Sequence, residues 1–129
     1  MFVTKDNQVL INEVAPRPHN SGHYSIEGCV TSQFENHIRA ITGLPLGDTD
    51  LIRPTVMINL LGEEGKKGEA IVIGAEDALK ISGLKLHLYG KEISSPKRKM
   101  GHLTVTAKEL SVAIKNAEDA FEKIKITAK

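Results

Sequence analysis

Tryptophan is absent from this 129-residue sequence, and aromatic side chains are otherwise limited to three Phe and two Tyr. Any core must therefore be built from Ile, Leu, Val and Met. Cysteine occurs once, at Cys29, which excludes an intrachain disulfide and points to a reducing, cytoplasmic compartment. No apolar run approaches the about 20 residues of a membrane span, and the N-terminus shows neither the basic nor the apolar region of a signal peptide. Charge of neither sign dominates: 17 basic and 16 acidic residues leave a net charge of +1. That balance argues against a nucleic-acid tether and against an acidic tail. There is no internal repeat, no low-complexity tract and no glycine-rich phosphate loop. What remains is a chain expected to touch neither nucleic acid nor membrane. It is long enough for one domain or two small ones, and for burial of roughly two-thirds of its unfolded surface.

The apolar run at 8–14 reads as a strand, with a turn at 5–7 before it and residues 2–4 as a hairpin partner. Pro16 and Pro18 forbid helix across the loop that follows. Residues 32–42 carry a helical pattern. Ser32 and Glu35 form a capping box, and Phe34, Ile38 and Ile41 fall on one face that should be buried. Gly43 and Pro45 end it. The segment 44–54, rich in Gly, Pro and Asp, is the best internal boundary. Thr55–Leu61 is apolar on both faces and reads as a central strand. Residues 63–68 are a solvated turn, and 75–82 a short helix closed by Gly83. Strands follow at 85–89 and 101–106, with a basic loop at 94–99 between them. Thr106 and Glu109 suggest a second capping box, opening a last helix whose stripe is Leu110, Ala113, Ile114, Ala117, Phe121 and Ile124. The fold class is mixed α/β (α+β).

Residues 12–23 read N-E-V-A-P-R-P-H-N-S-G-H. Folding alone does not require Arg17, His19, Asn20, Ser21 and His23 in one loop; loops carry such groups when something is bound. Glu13 within an apolar strand is costly unless charge-paired or metal-bound. The residues by themselves allow both readings, a strand-end carboxylate paired with Arg17 or a cation ligand. His19 and His23, at i and i+4, would suit zinc on a helix, but the prolines argue against that helix. Lys97, Arg98 and Lys99 are either an ordinary solvated loop or an anion site. Cys29 fits a small packing residue better than a nucleophile.

These motifs resemble the signature of the carboxyaminoimidazole ribonucleotide synthase family, the ATPase subunit of phosphoribosylaminoimidazole carboxylase and a branch of the ATP-grasp ligases of purine biosynthesis. Later segments agree in order and spacing: T-S-Q-F-E at 31–35 leading to L-P-L-G at 44–47, V-M-I-N-L-L-G at 56–62, and Y-G-K at 89–91 with R-K-M-G-H at 98–102. The match runs from Met1 to about Val105, and the tail from Ala107 resembles nothing diagnostic. The resemblance implies an ATP-dependent carbon–nitrogen ligase that joins bicarbonate to the exocyclic amine of 5-aminoimidazole ribonucleotide through carboxyphosphate. Glu13 would then be a Mg2+ ligand bridging ATP phosphates, with Asn12 beside it on nucleotide and metal. Arg17 would neutralise bicarbonate or carboxyphosphate with its planar fork, making Glu13 and Arg17 the catalytic pair. His19, Asn20 and Ser21 would face the aminoimidazole ribonucleotide. Lys97, Arg98 and Lys99 would hold its phosphate, the basic cluster folding back over the 16–23 loop.

In that family the nucleotide-binding lysines, the ribose-binding Glu and the first metal carboxylate precede the N-E motif. The chain is therefore expected to correspond to the C-terminal third of such an enzyme. Residues 1–53 would close an ATP-grasp domain, residues 54–129 would form the small C-terminal domain, and the N-terminal ATP-grasp portion would be the partner. Alone it should be inactive, and its exposed strand edge should drive a homo-oligomer. Two rivals stand beside this reading: a non-catalytic interaction or folding module, and a piece of the formate-using ATP-grasp transformylase of the same pathway. The H-N-S-G-H and R-K-M-G-H runs speak against the second.

Overall fold

The computed structural model describes residues 1–129. It opens with a hairpin of two-residue strands, β1 (Phe2–Val3) and β2 (Val9–Leu10). Asn7 turns it in the left-handed region that Asn tolerates, at φ 62°. The strand expected over 8–14 is thus only two residues long, and its residues are exposed. Within this chain the hairpin meets no further strand, so pairing stops once its own partner is used up. A 3₁₀ turn (Asn20–Gly22) and a short helix α1 (Ser25–Gly28) follow, neither foreseen from the sequence.

Helix α2 (Gln33–Ile41) begins where the capping box puts it: the Ser32 side chain accepts from the Glu35 N–H. Its apolar face is not buried, contrary to expectation. Phe34, Ile38 and Ile41 are 40%, 55% and 66% exposed, with Phe34 set against the His23 ring at 5.3 Å. The 44–54 loop returns to α1, where Val30 donates to Asp50 O and Ile52 to Gly28 O.

The remaining chain forms two three-stranded antiparallel sheets. The first has the order β3 (Thr55–Leu61), β7 (Lys99–Thr106), β5 (Leu84–Leu88). The second has the order β6 (Ile93–Ser94), β4 (Gly68–Ile73), β8 (Lys125–Ala128). β3 is therefore an edge strand and β7 the central one, reversing the expectation for Thr55–Leu61. The apolar residues of β3 are drawn inward by the second sheet, which meets it at Gly62: Gly62 bridges both Pro96 and Ile126. Strands β4 and β8 were not anticipated.

The helix expected over 75–82 is a single turn, α3 (Ala75–Ala78), ending short of Gly83. Helix α4 (Leu110–Lys123) starts after Glu109, not at the supposed capping box; Thr106 is already engaged by the sheet, its N–H donating to Gly83 O. The helix also ends before the C-terminus, which returns as β8. Its buried stripe is narrow. Ala113, Ala117 and Ala120 are fully buried, whereas Leu110, Ile114 and Phe121 stay half exposed. Small residues let the helix lie close on the sheet.

Antiparallel partners share a face, and this sorts the first sheet into two sides. On one side the rows Val56–Val105–Leu84 and Ile58–Leu103–Leu86 pack with Ala117, Ala120 and Ile124 into the apolar core. On the other side the row Asn59–His102–His87 faces the N-terminal segment. α1 lies so close there that a Cβ on Gly28 would meet the Thr55 hydroxyl. β7 is buried on both faces, which is why His102 and Thr104 are as inaccessible as Leu103 and Val105.

Candidate functional site

The polar row on the first sheet is matched, residue for residue, by the segment above it. Asn20, His23 and Glu27 are spaced i, i+3, i+7, so the 3₁₀ turn and α1 present them on one side. Asn20 Nδ2 donates to Asn59 Oδ1 at 2.7 Å. The His23 ring lies 5.0 Å from that of His102. The carboxylate of Glu27 meets His87 Nε2 at 2.7 Å. His87 and His102 stack at 4.4 Å with their planes 10° apart.

Beneath the row, the hydroxyl of Tyr89 and His102 Nδ1 are 2.9 Å apart. His102 is 2% exposed and its Nε2 has no partner. Burial, then the neighbouring His87 and His23, pushes its pKa down to about 4. His23 is lowered too, chiefly by burial, and the Tyr89 phenol is raised by burial. The imidazole of His102 is thus neutral throughout the physiological range.

The loop itself is closed by internal bonds. His19 Nδ1 takes the Ser21 N–H at 3.3 Å and lies 2.9 Å from Ser21 Oγ. Gln33, at the start of α2, grips the backbone of His19 from both sides. His19 N–H donates to Gln33 Oε1 at 2.9 Å, and Gln33 Nε2 donates to His19 O at 2.8 Å.

The basic loop reaches this assembly through one residue. Lys99 Nζ donates to Asn20 Oδ1 at 3.0 Å across 79 residues of sequence. Arg98 turns elsewhere, donating to Ile93 O at 2.7 Å, and Lys97 occupies a left-handed turn position at φ 61°. Lys91, part of the Y-G-K motif but given no role from the sequence, joins the basic group: its Nζ donates to Lys99 O at 2.6 Å and sits 5.6 Å from the Tyr89 ring centre.

Glu13, Arg17 and His19 line one shallow cleft with Val14, Ala15 and Pro16. Arg17 donates to Pro18 O at 3.2 Å and pairs with no carboxylate, so the ion pair with Glu13 does not form. Asn12 and Glu13 are exposed. No three His, Cys, Asp or Glu side chains converge to hold a metal ion. One carboxylate and one amide oxygen fit Mg2+ only as part of a shell completed by phosphate oxygens and further ligands.

Sequence reasoning gave no role to Gln33, Asn59, His87, Tyr89, Lys91 and His102, although all but His87 fall within its quoted motifs. A signal did exist. The i, i+3, i+7 spacing of Asn20, His23 and Glu27, set against polar residues inside otherwise apolar strands, marks a buried polar seam.

Comparison with known proteins places these residues in context. The model of the phosphoribosylaminoimidazole carboxylase C-terminal domain matches residues 55–116, and that of the ATP-grasp domain matches residues 1–34. The N5-carboxyaminoimidazole ribonucleotide synthase of Bacillus subtilis is 55% identical over 104 residues, covering 81% of this chain and 26% of the relative. The crystal structure of N5-carboxyaminoimidazole ribonucleotide synthetase from Thermotoga maritima superposes with a TM-score of 0.96 at 56% identity, covering 100% of this chain and 36% of that one. The Aspergillus clavatus enzyme, solved with ADP and 5-aminoimidazole ribonucleotide, gives 0.82 at 38% identity, over 95% of this chain and 33% of its own. This chain spans between about a quarter and about a third of the length of these relatives.

Proposed function

Because the chain belongs to the N5-carboxyaminoimidazole ribonucleotide synthase family, matching its C-terminal part, we propose that it supplies the ribonucleotide wall and one metal carboxylate of an ATP-dependent ligase. That ligase carboxylates 5-aminoimidazole ribonucleotide with bicarbonate. Residues 1–53 serve as the end of an ATP-grasp domain, and residues 54–129 as the small C-terminal domain. The observation that carries this reading is the Lys99–Asn20 contact, which closes a cationic loop over a polar one.

Each group has a role suited to its chemistry. Lys99 neutralises the ribonucleotide phosphate, and Lys97 and Arg98 of the same loop add positive charge without the contact that Lys99 makes. His19, Asn20 and Ser21 face the ribose and base, their loop already held by Gln33. Arg17, unpaired within the chain and set in the same cleft as Glu13, offers its guanidinium to the bicarbonate-derived oxyanion. Mg2+ would neutralise ATP phosphates, with Glu13 and Asn12 contributing oxygens to its shell. In phosphoryl chemistry of this kind positioning and charge dominate, so part of a site gives little rate.

A chemical-shift titration with 5-aminoimidazole ribonucleotide tests the proposal. Wild-type chain should bind with a Kd of about 1 mM, about −4 kcal/mol, moving amides at 17–21 and 99. Added salt should weaken the binding. Lys99→Ala removes a charge-assisted contact and should weaken it about tenfold. Shifts that cluster away from the loop, or that are identical in Lys99→Ala, refute the placement.

A further inference from the structure

Gln33 makes more bonds than a core amide needs, and their polarity is fixed. The His19 N–H is a donor, so the atom facing it must be the amide oxygen of Gln33. The His19 carbonyl is an acceptor, so the atom facing it must be the amide nitrogen. Backbone chemistry thus orients the side chain without reference to any other neighbour. That nitrogen carries two hydrogens. One goes to His19 O at 2.8 Å, and the other points at His23 Nδ1, also 2.8 Å away. A donor facing Nδ1 requires Nδ1 to be the unprotonated nitrogen of the ring.

We propose, on the reading of the 19–21 loop as a ribonucleotide wall, that Gln33 is its positioning residue and that Gln33 holds His23 as the neutral Nε2–H tautomer, so that loop geometry depends on His23 carrying no second proton. A proton on Nδ1 would set donor against donor. Turning the amide over to relieve this would place its nitrogen against the His19 N–H and its oxygen against the His19 carbonyl, breaking both backbone bonds. Protonation of His23 and order of the loop are therefore linked through one side chain.

The surroundings of His23 support the neutral form. His19 faces it from the loop, His87 from β5, His102 and Lys99 from β7, and Tyr89 from beyond β5. The carboxylate of Glu27, one helical turn on, is engaged by His87. No anion is left to favour an imidazolium, and burial together with His19, His87 and Lys99 lowers the His23 pKa. Gly22 fits the same construction: a Cβ there would run into the Gln33 amide.

The experiment is long-range 1H–15N spectroscopy of the histidine rings in the 129-residue chain, with a pH titration read on both rings and backbone. In wild type, His23 should show an unprotonated Nδ1 and a protonated Nε2. Its titration midpoint should lie below the ordinary 6.5, and the amides of Asn20, Ser21 and Gly22 should move with that midpoint. Gln33→Glu keeps the shape but puts a carboxylate at Nδ1. It should raise the midpoint by about one unit or more and weaken binding of 5-aminoimidazole ribonucleotide about tenfold, with unchanged β7 amides certifying the fold. A neutral His23 protonated on Nδ1 overturns the proposal, as do loop amides blind to the His23 titration. Both readouts come from wild type, so they hold even if Gln33→Glu misfolds. If no ribonucleotide binds to wild type, the proposed function fails, while the tautomer still judges the Gln33 lock on its own.

Discussion

Acidification should unfold this chain earlier than its carboxylates alone require, and His102 is the reason. Its imidazole is 2% exposed, stacked on His87 and bonded to Tyr89, with a pKa of about 4 against an ordinary 6.5. In the unfolded chain the same ring takes a proton near 6.5. Between these values the unfolded state binds more protons, so stability falls as pH falls from 6.5 to about 4 and is then level with respect to this group. At about 1.4 kcal/mol per pH unit, that interval costs about 3 kcal/mol, a large part of the stability of a small domain. Other depressed groups act lower: Glu63, Asp77 and Asp6 are held below their ordinary values by hydrogen bonds from Thr127, Lys80 and Thr4, and lose their contributions below 4.5 and 3.8. Urea unfolding followed by circular dichroism, from about pH 7 to about pH 4.5, isolates the histidine window. His102→Gln removes the proton site and should flatten the curve by about 2–3 kcal/mol over that range, after subtraction of its own pH-independent cost. Parallel curves for wild type and His102→Gln would refute the reasoning, since the buried ring would then not be the group that titrates.

The purified chain should release no phosphate from ATP above background, with or without bicarbonate and 5-aminoimidazole ribonucleotide, because Glu13 is the one candidate metal carboxylate in its cleft; turnover that vanishes in Glu13→Gln would contradict this. The chain should also self-associate at micromolar concentration into a homo-oligomer, through the exposed Phe2, Val3, Val9, Leu10 and Ile11 of the hairpin. Light scattering should show Ile11→Lys shifting the population towards monomer, and a wild-type monomer would show that this apolar surface needs no cover.

The candidate site was only partly legible. Asn20 and Lys99 were both named, and so was the return of the basic loop over the polar one, because the family resemblance implied it; residue type alone left 97–99 open as a solvated loop. Arg98 and Lys97 were named with them, but the turn at Lys97 aims Arg98 at the Ile93 carbonyl and leaves Lys99 to make the contact. Gln33 and His102 lay within quoted motifs but were given no role, because each is an ordinary residue in its own element. A glutamine opening a helix and a histidine in a strand gain meaning only from what lies opposite.

Local rules gave what depends on neighbours in sequence: the hairpin, the Ser32 cap, the stop at Gly43 and the strand at Thr55–Leu61. Tertiary packing decided what depends on distant partners. Thr55–Leu61 looked central because it is apolar on both faces, but strand order is set by pairing, and β7 took the middle place. The last helix was read with Ile124 in its apolar stripe, yet the helix ends at Lys123, Ile124 leaves the helical register, and Ile126 enters β8 beside β4. Helical and strand patterns of short apolar segments overlap, and the sheet with an open edge settled which one formed. The polar seam is the clearest case. Asn59, His87 and His102 lie far apart in sequence, and only the antiparallel register of β3, β7 and β5 set them in one row under Asn20, His23 and Glu27.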